Sequence, residues 1–251
     1  MKNAAHWKPT KFVRTRQGLR SSRNVAHVSL ESRFITDIVA EHYDRAIRAH
    51  AGGRLLDMGC GHVPLYDVYR ELVQENVCID WGNTIHANSH LDHTVDLNGK
   101  LPFDDSCFDS VVLTDVLEHI VDPVIAMCEI SRILRPGGKL IAGVPFFYRL
   151  HEQPHDYYRY TEFALRHFCK LSGLTVVSLD SYGGLPEVLF DLSSRVVELL
   201  PRPLAGVLRP LHAIISPLCK RTPLSKLSEW SRQSFPLGYV LIAQRPLAAE
   251  C

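Results

Sequence analysis

The chain has 251 residues, 46% of them hydrophobic and 22% charged, with a formal net charge of +1. At this length a folded chain buries roughly 75% of its unfolded surface, so a hydrophobic core suffices without disulfide or metal staples, and global disorder is excluded. The near-neutral charge also argues against a wholesale nucleic-acid binder.

That neutrality hides an asymmetry. Residues 1–30 hold seven Lys/Arg and no acid. Residues 1–28 read as a basic, solvated and flexible arm ahead of one domain spanning 29–251. The functional alternative for the arm is attraction to an anionic partner. Seven cysteines at 60, 78, 107, 128, 169, 219 and 251 show no CxxC and no framework spacing. They fit reduced thiols, so a cytoplasmic protein is expected. No apolar secretory signal and no run long enough to span a membrane is seen.

In chain order, Ser29–His50 carries apolar residues on one helical stripe (Phe34, Ile35, Ile38, Val39, Ala46, Ile47) and ends at Gly52-Gly53. Arg54–Met58 reads as a buried strand entering the glycine turn Gly59-Cys60-Gly61. Residues 65–74 read as a helix, Val77–Asp80 as a second strand, His93–Leu97 as a third and Phe108–Leu113 as a fourth. Asp122-Pro123 opens a helix with an acidic cap and proline at its first position, and Arg135-Pro136-Gly137-Gly138 ends it. Lys139–Pro145 is a fifth strand. Thr161–Leu171 is a helix, and Leu174–Leu179 and Tyr239–Ala243 are the sixth and seventh strands. Strands alternating with helices predict a doubly wound, mainly parallel α/β sheet. Residues 186–236 break the rhythm with seven prolines. They read as a helical insertion of short broken helices before the last strand.

The glycine turn after the first strand is the strongest chemical feature. It lets backbone approach a ligand closely and offers helix N-terminal N–H groups. The third glycine of a dinucleotide fingerprint is absent, since Pro64 follows Val63, which disfavours a Rossmann dehydrogenase. Asp57 would repel a pyrophosphate but can accept from an ammonium, which favours a cofactor with a positive amino-acid tail. Asp80 closes the second strand, where an acid can take both ribose hydroxyls. Trp81 can cover an adenine face, and Asp96 can accept from an adenine amino group. Each has a bland reading beside it: a structural turn, a cap or a core ring.

Asp57-Met58-Gly59-Cys60-Gly61, Asp80, Leu101-Pro102-Phe103-Asp104-Asp105-Ser106-Cys107-Phe108-Asp109, Val116-Leu117-Glu118-His119 and Ile133-Leu134-Arg135-Pro136-Gly137-Gly138 occur in that order. Together they resemble the class I S-adenosylmethionine-dependent methyltransferases of the type 11 domain, over roughly residues 50–182. The resemblance implies a seven-stranded sheet with an antiparallel last strand and S-adenosylmethionine as cofactor. It implies methionine-tail contacts at Asp57, Gly59, Cys60 and Gly61, ribose at Asp80 beside Trp81, adenine near Asp96 and Leu97, and Thr114 and Asp115 under the sulfonium. Val63 stands where the family commonly has a glycine. That variant turn is similar to a subgroup linked to glycan and cell-surface biosynthesis.

The loop after the fifth strand, Val144–Thr161, is dense in His, Tyr, Arg and Asp. Loops at strand carboxyl ends are where substrate meets cofactor. His151, His155 and His119 are the candidate bases for a hydroxyl nucleophile. Tyr148, Asp156, Tyr157 and Arg159 are the candidate substrate-binding residues, with an Arg159–Asp156 brace as the structural alternative. His86, His90 and His93 are spaced for a metal, but no metal is expected, because sulfonium chemistry needs no Lewis acid. The expected acceptor is an oxygen of a small molecule, a sugar or a lipid-linked precursor. Peripheral membrane contact through the basic insertion stays open. Two rivals also stay open: a non-catalytic methyltransferase-like binding protein, and an RNA- or membrane-binding module.

Overall fold

The computed structural model describes residues 1–82, 89–201, 204 and 223–247. Two short strands, β1 (Phe12–Thr15) and β2 (Gly18–Ser21), form an antiparallel hairpin. The main body is a seven-stranded sheet of β3 (Arg54–Met58), β4 (Glu75–Asp80), β5 (His93–Thr94), β6 (Phe108–Thr114), β7 (Leu134–Pro145), β8 (Thr175–Tyr182) and β9 (Gly238–Gln244). Its order is β5-β4-β3-β6-β7-β9-β8. β9 runs antiparallel to both neighbours, and the β5-to-β7 pairings are parallel. This is the predicted doubly wound architecture with an antiparallel last strand.

The strand pattern explains why both faces are covered. Alternate residues of a strand point to opposite faces. In β3, Leu55 belongs to one core, whereas Leu56 and Met58 belong to the other. α1 (Arg33–His50) covers the first face with Ile38, Val39 and Ile47. The short α2 (Tyr66–Tyr69) and α5 (Leu185–Leu199) lie on the same side. α3 (Pro123–Ile133) and α4 (Glu162–Leu171) cover the second face with Ile130, Ile133 and Leu165. The predicted caps form. Asp122 accepts from the Val124 and Ile125 N–H groups at 3.1 Å each, and Thr161 accepts from Ala164 at 3.3 Å.

Several boundaries differ. The helix expected over 65–74 is a single turn, because the Gln74 N–H donates to the Gly53 carbonyl at 2.8 Å and draws the chain into β4. The third strand stops at Thr94, since Asp96 turns back to accept from the Asn98 N–H. Arg135-Pro136-Gly137-Gly138 lies inside β7, with Arg135 paired to Asp109 across the start of β6. In the insertion, α5 is a 15-residue helix, and residues 202–203 and 205–222 lie outside the described ones. Pro186 sits in its first turn, where its missing N–H costs nothing. A second helix, α6 (Leu224–Ser231), precedes β9. Arg202, Arg209, Lys220 and Arg221 lie outside the described residues. Arg195 is paired with Asp191 at 3.1 Å and Glu198 at 3.2 Å.

Residues 1–28 are corrected from a solvated arm to a folded part of the domain. Phe12 and Leu19 are each 2% exposed and belong to the α1 core. Four of the seven cations pair inward: Lys11 with Asp115, Arg14 with Asp67, Arg20 with Glu41 and Arg23 with Asp37. The acid excess of the rest of the chain draws the basic segment down. No helix among the described residues is long and apolar enough to cross a membrane.

Candidate active site

The carboxyl ends of β3, β4, β6 and β7 open on one cleft of about 620 Å³. It lies where the strand order reverses between β3 and β6, the position at which doubly wound sheets bind ligands. Asp57, Gly59, Cys60, Gly61, Asp80, Trp81, Asp96, Leu97, Thr114 and Asp115 all line it. The structure thus brings together every predicted cofactor residue.

The turn after β3 depends on its glycines. Gly59 has φ 73°, and a Cβ there would come within 2.5 Å of Val116 Cγ2. Val63, where the family commonly has glycine, still takes a left-handed φ of 52° with its side chain fully buried. That conformation is a strained one for a β-branched residue. The Trp7 indole N–H donates to the Val63 carbonyl at 3.1 Å, so the N-terminal segment ties the turn down.

The two acids of the turn are held differently. Asp80 accepts from the Gly61 N–H and from the Trp81 N–H, both at 2.7 Å, which fixes the carboxylate between β4 and the glycine turn. Asp57 is 4% exposed and accepts from the Tyr69 hydroxyl at 2.7 Å. Burial, aided by Asp80 and opposed by the Tyr69 bond, pushes its carboxyl up to about 7. The Cys60 thiol is also pushed up, by a hydrogen bond with Cys78 and by burial, so its backbone rather than its sulfur serves the turn.

Asp115 follows β6 in a left-handed conformation, φ 54°. Its carboxylate accepts from Tyr43 Oη at 2.6 Å and from Lys11 Nζ at 3.0 Å. Burial raises its pKa, but Lys11 and the Tyr43 bond outweigh that, and the carboxyl ends below its ordinary value. Gly143 makes room for this contact, since a Cβ there would meet Tyr43 Oη at 2.3 Å.

The histidines divide into two groups. His155 lines the cleft, its ring 4.7 Å from that of Trp81, with Nδ1 3.1 Å from Tyr157 Oη. His119 also lines the cleft, but His151 does not. Their Nε2 atoms are 3.2 Å apart, and Nδ1 of His119 donates to the His155 carbonyl at 2.7 Å. Beside them Glu118 is fully buried, with Oε1 3.8 Å from His119 Nε2 and 3.7 Å from His151 Nε2. Burial lowers the His151 pKa, but Glu118 more than offsets this and the net direction is up.

None of the four substrate-binding candidates lines this cleft. Arg159 donates to Asp156 through both Nη atoms, at 2.6 and 2.8 Å, and to the carbonyls of Tyr148, Arg149 and Tyr158. Both charges are spent bracing the loop, and neither residue lines the cleft. Tyr148 packs its ring 5.2 Å from His151, and Tyr157 is half exposed beside His155; neither lines the cleft. Of the expected metal triplet, His86 lies outside the described residues. His90 contacts the Lys2 carbonyl and His93 packs on Phe103, so these two are engaged separately.

Residues 56–142 match the family described as "Methyltransferase domain". A ubiquinone biosynthesis O-methyltransferase of Cereibacter sphaeroides is 30% identical over 122 residues, covering 44% of this chain and 49% of that protein. A demethylmenaquinone methyltransferase of Clavibacter sepedonicus is 29% identical over 110 residues, covering 39% of this chain and 43% of that protein. The matches thus span less than half the length of these curated relatives. Among solved structures, a Haemonchus contortus phosphoethanolamine N-methyltransferase, in complex with phosphomonomethylethanolamine and S-adenosylhomocysteine, superposes with a TM-score of 0.53. It is 16% identical and covers 89% of this chain and 58% of that one, a likeness of fold alone.

Residues 56–142 thus carry a methyltransferase domain. The cleft beside this methyltransferase domain also has residues that the sequence did not reveal. Thr10, Lys11, Phe12, Ala26 and His27 form one wall of the cleft. No local period marks them, and Lys11 meets Asp115 across 104 residues of chain.

Proposed function

We propose that this chain transfers the methyl group of S-adenosylmethionine to an oxygen nucleophile of a small molecule. The observation that carries the reading is the Asp57–Gly59–Gly61–Asp80 arrangement at the topological switch point. One buried acid is placed for the cofactor's ammonium and a second for its ribose. Trp81 and His155, in edge contact, take the adenine side with Asp96 and Leu97. Thr114 and Asp115 take the sulfonium side.

The sulfonium is already an activated donor, so the protein's contribution is to hold the acceptor in line with the methyl carbon and to accept its proton. Of the three candidate bases, His119 fits this role, with His151 behind it at 3.2 Å. His119 Nδ1 is bound as a donor, which leaves the basic lone pair on Nε2, within hydrogen-bond reach of His151 Nε2. His155 stands with the cofactor. The oxygen acceptor is supported by the quinone O-methyltransferase names among the relatives; sugar and lipid-linked oxygens share the same chemistry. Replacing His119 and His151 with alanine should lower turnover by about 10²–10⁴ while leaving the affinity for S-adenosylhomocysteine unchanged. Turnover intact in the double variant would remove the base assignment. Failure of the wild-type chain to bind the cofactor product would remove the whole reading.

A further inference from the structure

Glu118, His119 and His151 gather one buried carboxylate and two imidazoles beside the cleft. Their ligand atoms all lie within 4.8 Å of one another. His119 Nδ1 is a donor, because its partner at 2.7 Å is a carbonyl oxygen. The lone pair of the neutral ring is therefore on Nε2. His151 Nδ1 lies 3.3 Å from Asp156 Oδ2 and 3.5 Å from Arg159 Nη2, with the carboxylate nearer. Of these only the arginine contact has hydrogen-bond geometry, so in the metal-free ring Nδ1 accepts; the Nδ1–H form, directed at Asp156, is the one that would present the Nε2 lone pair to an ion. The two Nε2 atoms face one another at 3.2 Å, with Glu118 Oε1 3.7 and 3.8 Å away. Both oxygens of Glu118 are buried, and neither takes part in a hydrogen bond. A buried carboxylate without a hydrogen-bond partner is costly, and here its nearest charged neighbours are the two imidazole Nε2 atoms.

A cation would satisfy all three groups. We propose that Glu118, His119 and His151 bind a divalent transition-metal ion of the zinc class. Two imidazole nitrogens and one carboxylate oxygen are a donor set for such an ion, whereas magnesium and calcium prefer oxygen throughout. For metal–ligand bonds of about 2.0–2.1 Å in tetrahedral geometry, donor atoms stand about 3.3 Å apart. The nitrogen pair meets that distance already, and the carboxylate needs to close by about half an ångström. The outer contacts are those of a supported site. One histidine donates to a backbone carbonyl, and the other faces a carboxylate that Arg159 and the His151 N–H hold in place. Since His119 lines the cleft, the ion's remaining positions would be open to water or to an acceptor oxygen. Only that last role rests on the methyl-transfer reading. In the metal-free chain the two histidines keep the base role proposed above; with the ion bound they would be its ligands, and the ion would lower the pKa of a bound hydroxyl.

The test is titration of the chelator-stripped full chain with Co²⁺, read by visible absorption, and with Zn²⁺, read by calorimetry. The expected result is one equivalent of tightly bound metal. His119→Ala, His151→Ala and the near-isosteric Glu118→Gln should each weaken it by more than the about 10–100-fold that loss of an outer partner costs. Asp156→Asn should weaken it within that range, and the surface variant His167→Ala should leave it unchanged. S-adenosylhomocysteine calorimetry on the same samples shows which variants are folded, and it separates failure of this inference from failure of the methyltransferase reading. A wild-type chain that binds the cofactor product but no Co²⁺ or Zn²⁺ would overturn the proposal, leaving a proton as the cluster's cation. Metal binding undiminished in folded Glu118→Gln and His151→Ala would overturn it as well.

Discussion

The Asp57 carboxyl gives the sharpest prediction. It is buried beneath the glycine turn with the Tyr69 hydroxyl as its hydrogen-bond donor, and it is held near pKa 7 against an ordinary 3.8. A cofactor ammonium placed there is attracted by the ionised form only. About a tenth of the molecules carry that form at pH 6 and about a hundredth at pH 5, because each unit of pH is tenfold. Affinity for S-adenosylhomocysteine should therefore be flat above about pH 8 and fall roughly tenfold per unit below 7. Stability of the free chain runs the other way. The folded pKa is raised, so the folded state holds more protons than the unfolded one between pH 3.8 and 7. Stability from this group is thus fully present below about 4 and is lost as pH rises through 7. The shift of about three units corresponds to roughly 4 kcal/mol. Asp57→Asn keeps the shape and removes the charge. It should flatten both pH profiles, stabilise the free chain at pH 8 and weaken cofactor binding there. Calorimetry and urea melts from pH 5 to 8 read both effects. An affinity independent of pH between 5 and 7, with the Asn variant binding as well as wild type, would refute the placement of the ammonium.

Three further outcomes follow from the geometry. Asp80→Asn should weaken cofactor binding by about 1.5–3 kcal/mol, the scale of hydrogen bonds to a charged group; calorimetry checks this, and circular dichroism confirms that the turn it braces still folds. Phe12→Ala should cost about 3–5 kcal/mol in urea unfolding, because the ring is part of the α1 core; a cost near zero would restore the reading of residues 1–28 as a solvated arm. Lys11→Met should raise the Asp115 pKa. Asp115 has a folded pKa below 3.8, so its contribution is present above that value and lost as pH falls through the lower one. The variant should therefore shed stability at neutral pH and lose less on acidification, by about 1 kcal/mol or less given that the Lys11 side chain is 43% exposed.

Much of the cofactor half was legible because it is local. Leu55, Leu56 and Met58 alternate between two cores, the glycine turn follows directly, and Asp80 ends the neighbouring strand at the same level of the sheet. Parallel pairing then brings them together without further information. The acceptor half was legible as residue types but not as roles. Arg159 and Asp156 are three residues apart in a loop, and only the fold shows that the carbonyls of Tyr148, Arg149 and Tyr158 use up the guanidinium. The His119–His151 pair and Glu118 converge from two different strand ends, which no spacing encodes. The wall formed by Thr10 to Phe12 was hidden for the same reason. A basic segment without period reads as solvent-facing until an acid such as Asp115 is placed opposite it.

The central claim is that this cleft moves a methyl group. Incubation of the chain with methyl-labelled S-adenosylmethionine and a cell extract, followed by mass spectrometry of the small-molecule fraction, addresses it directly. Labelled methyl is expected on an oxygen of one product, lost with Asp80→Asn and with the His119→Ala/His151→Ala pair. Cofactor binding without any transferred label would contradict it and make the chain a binding protein built on a methyltransferase fold.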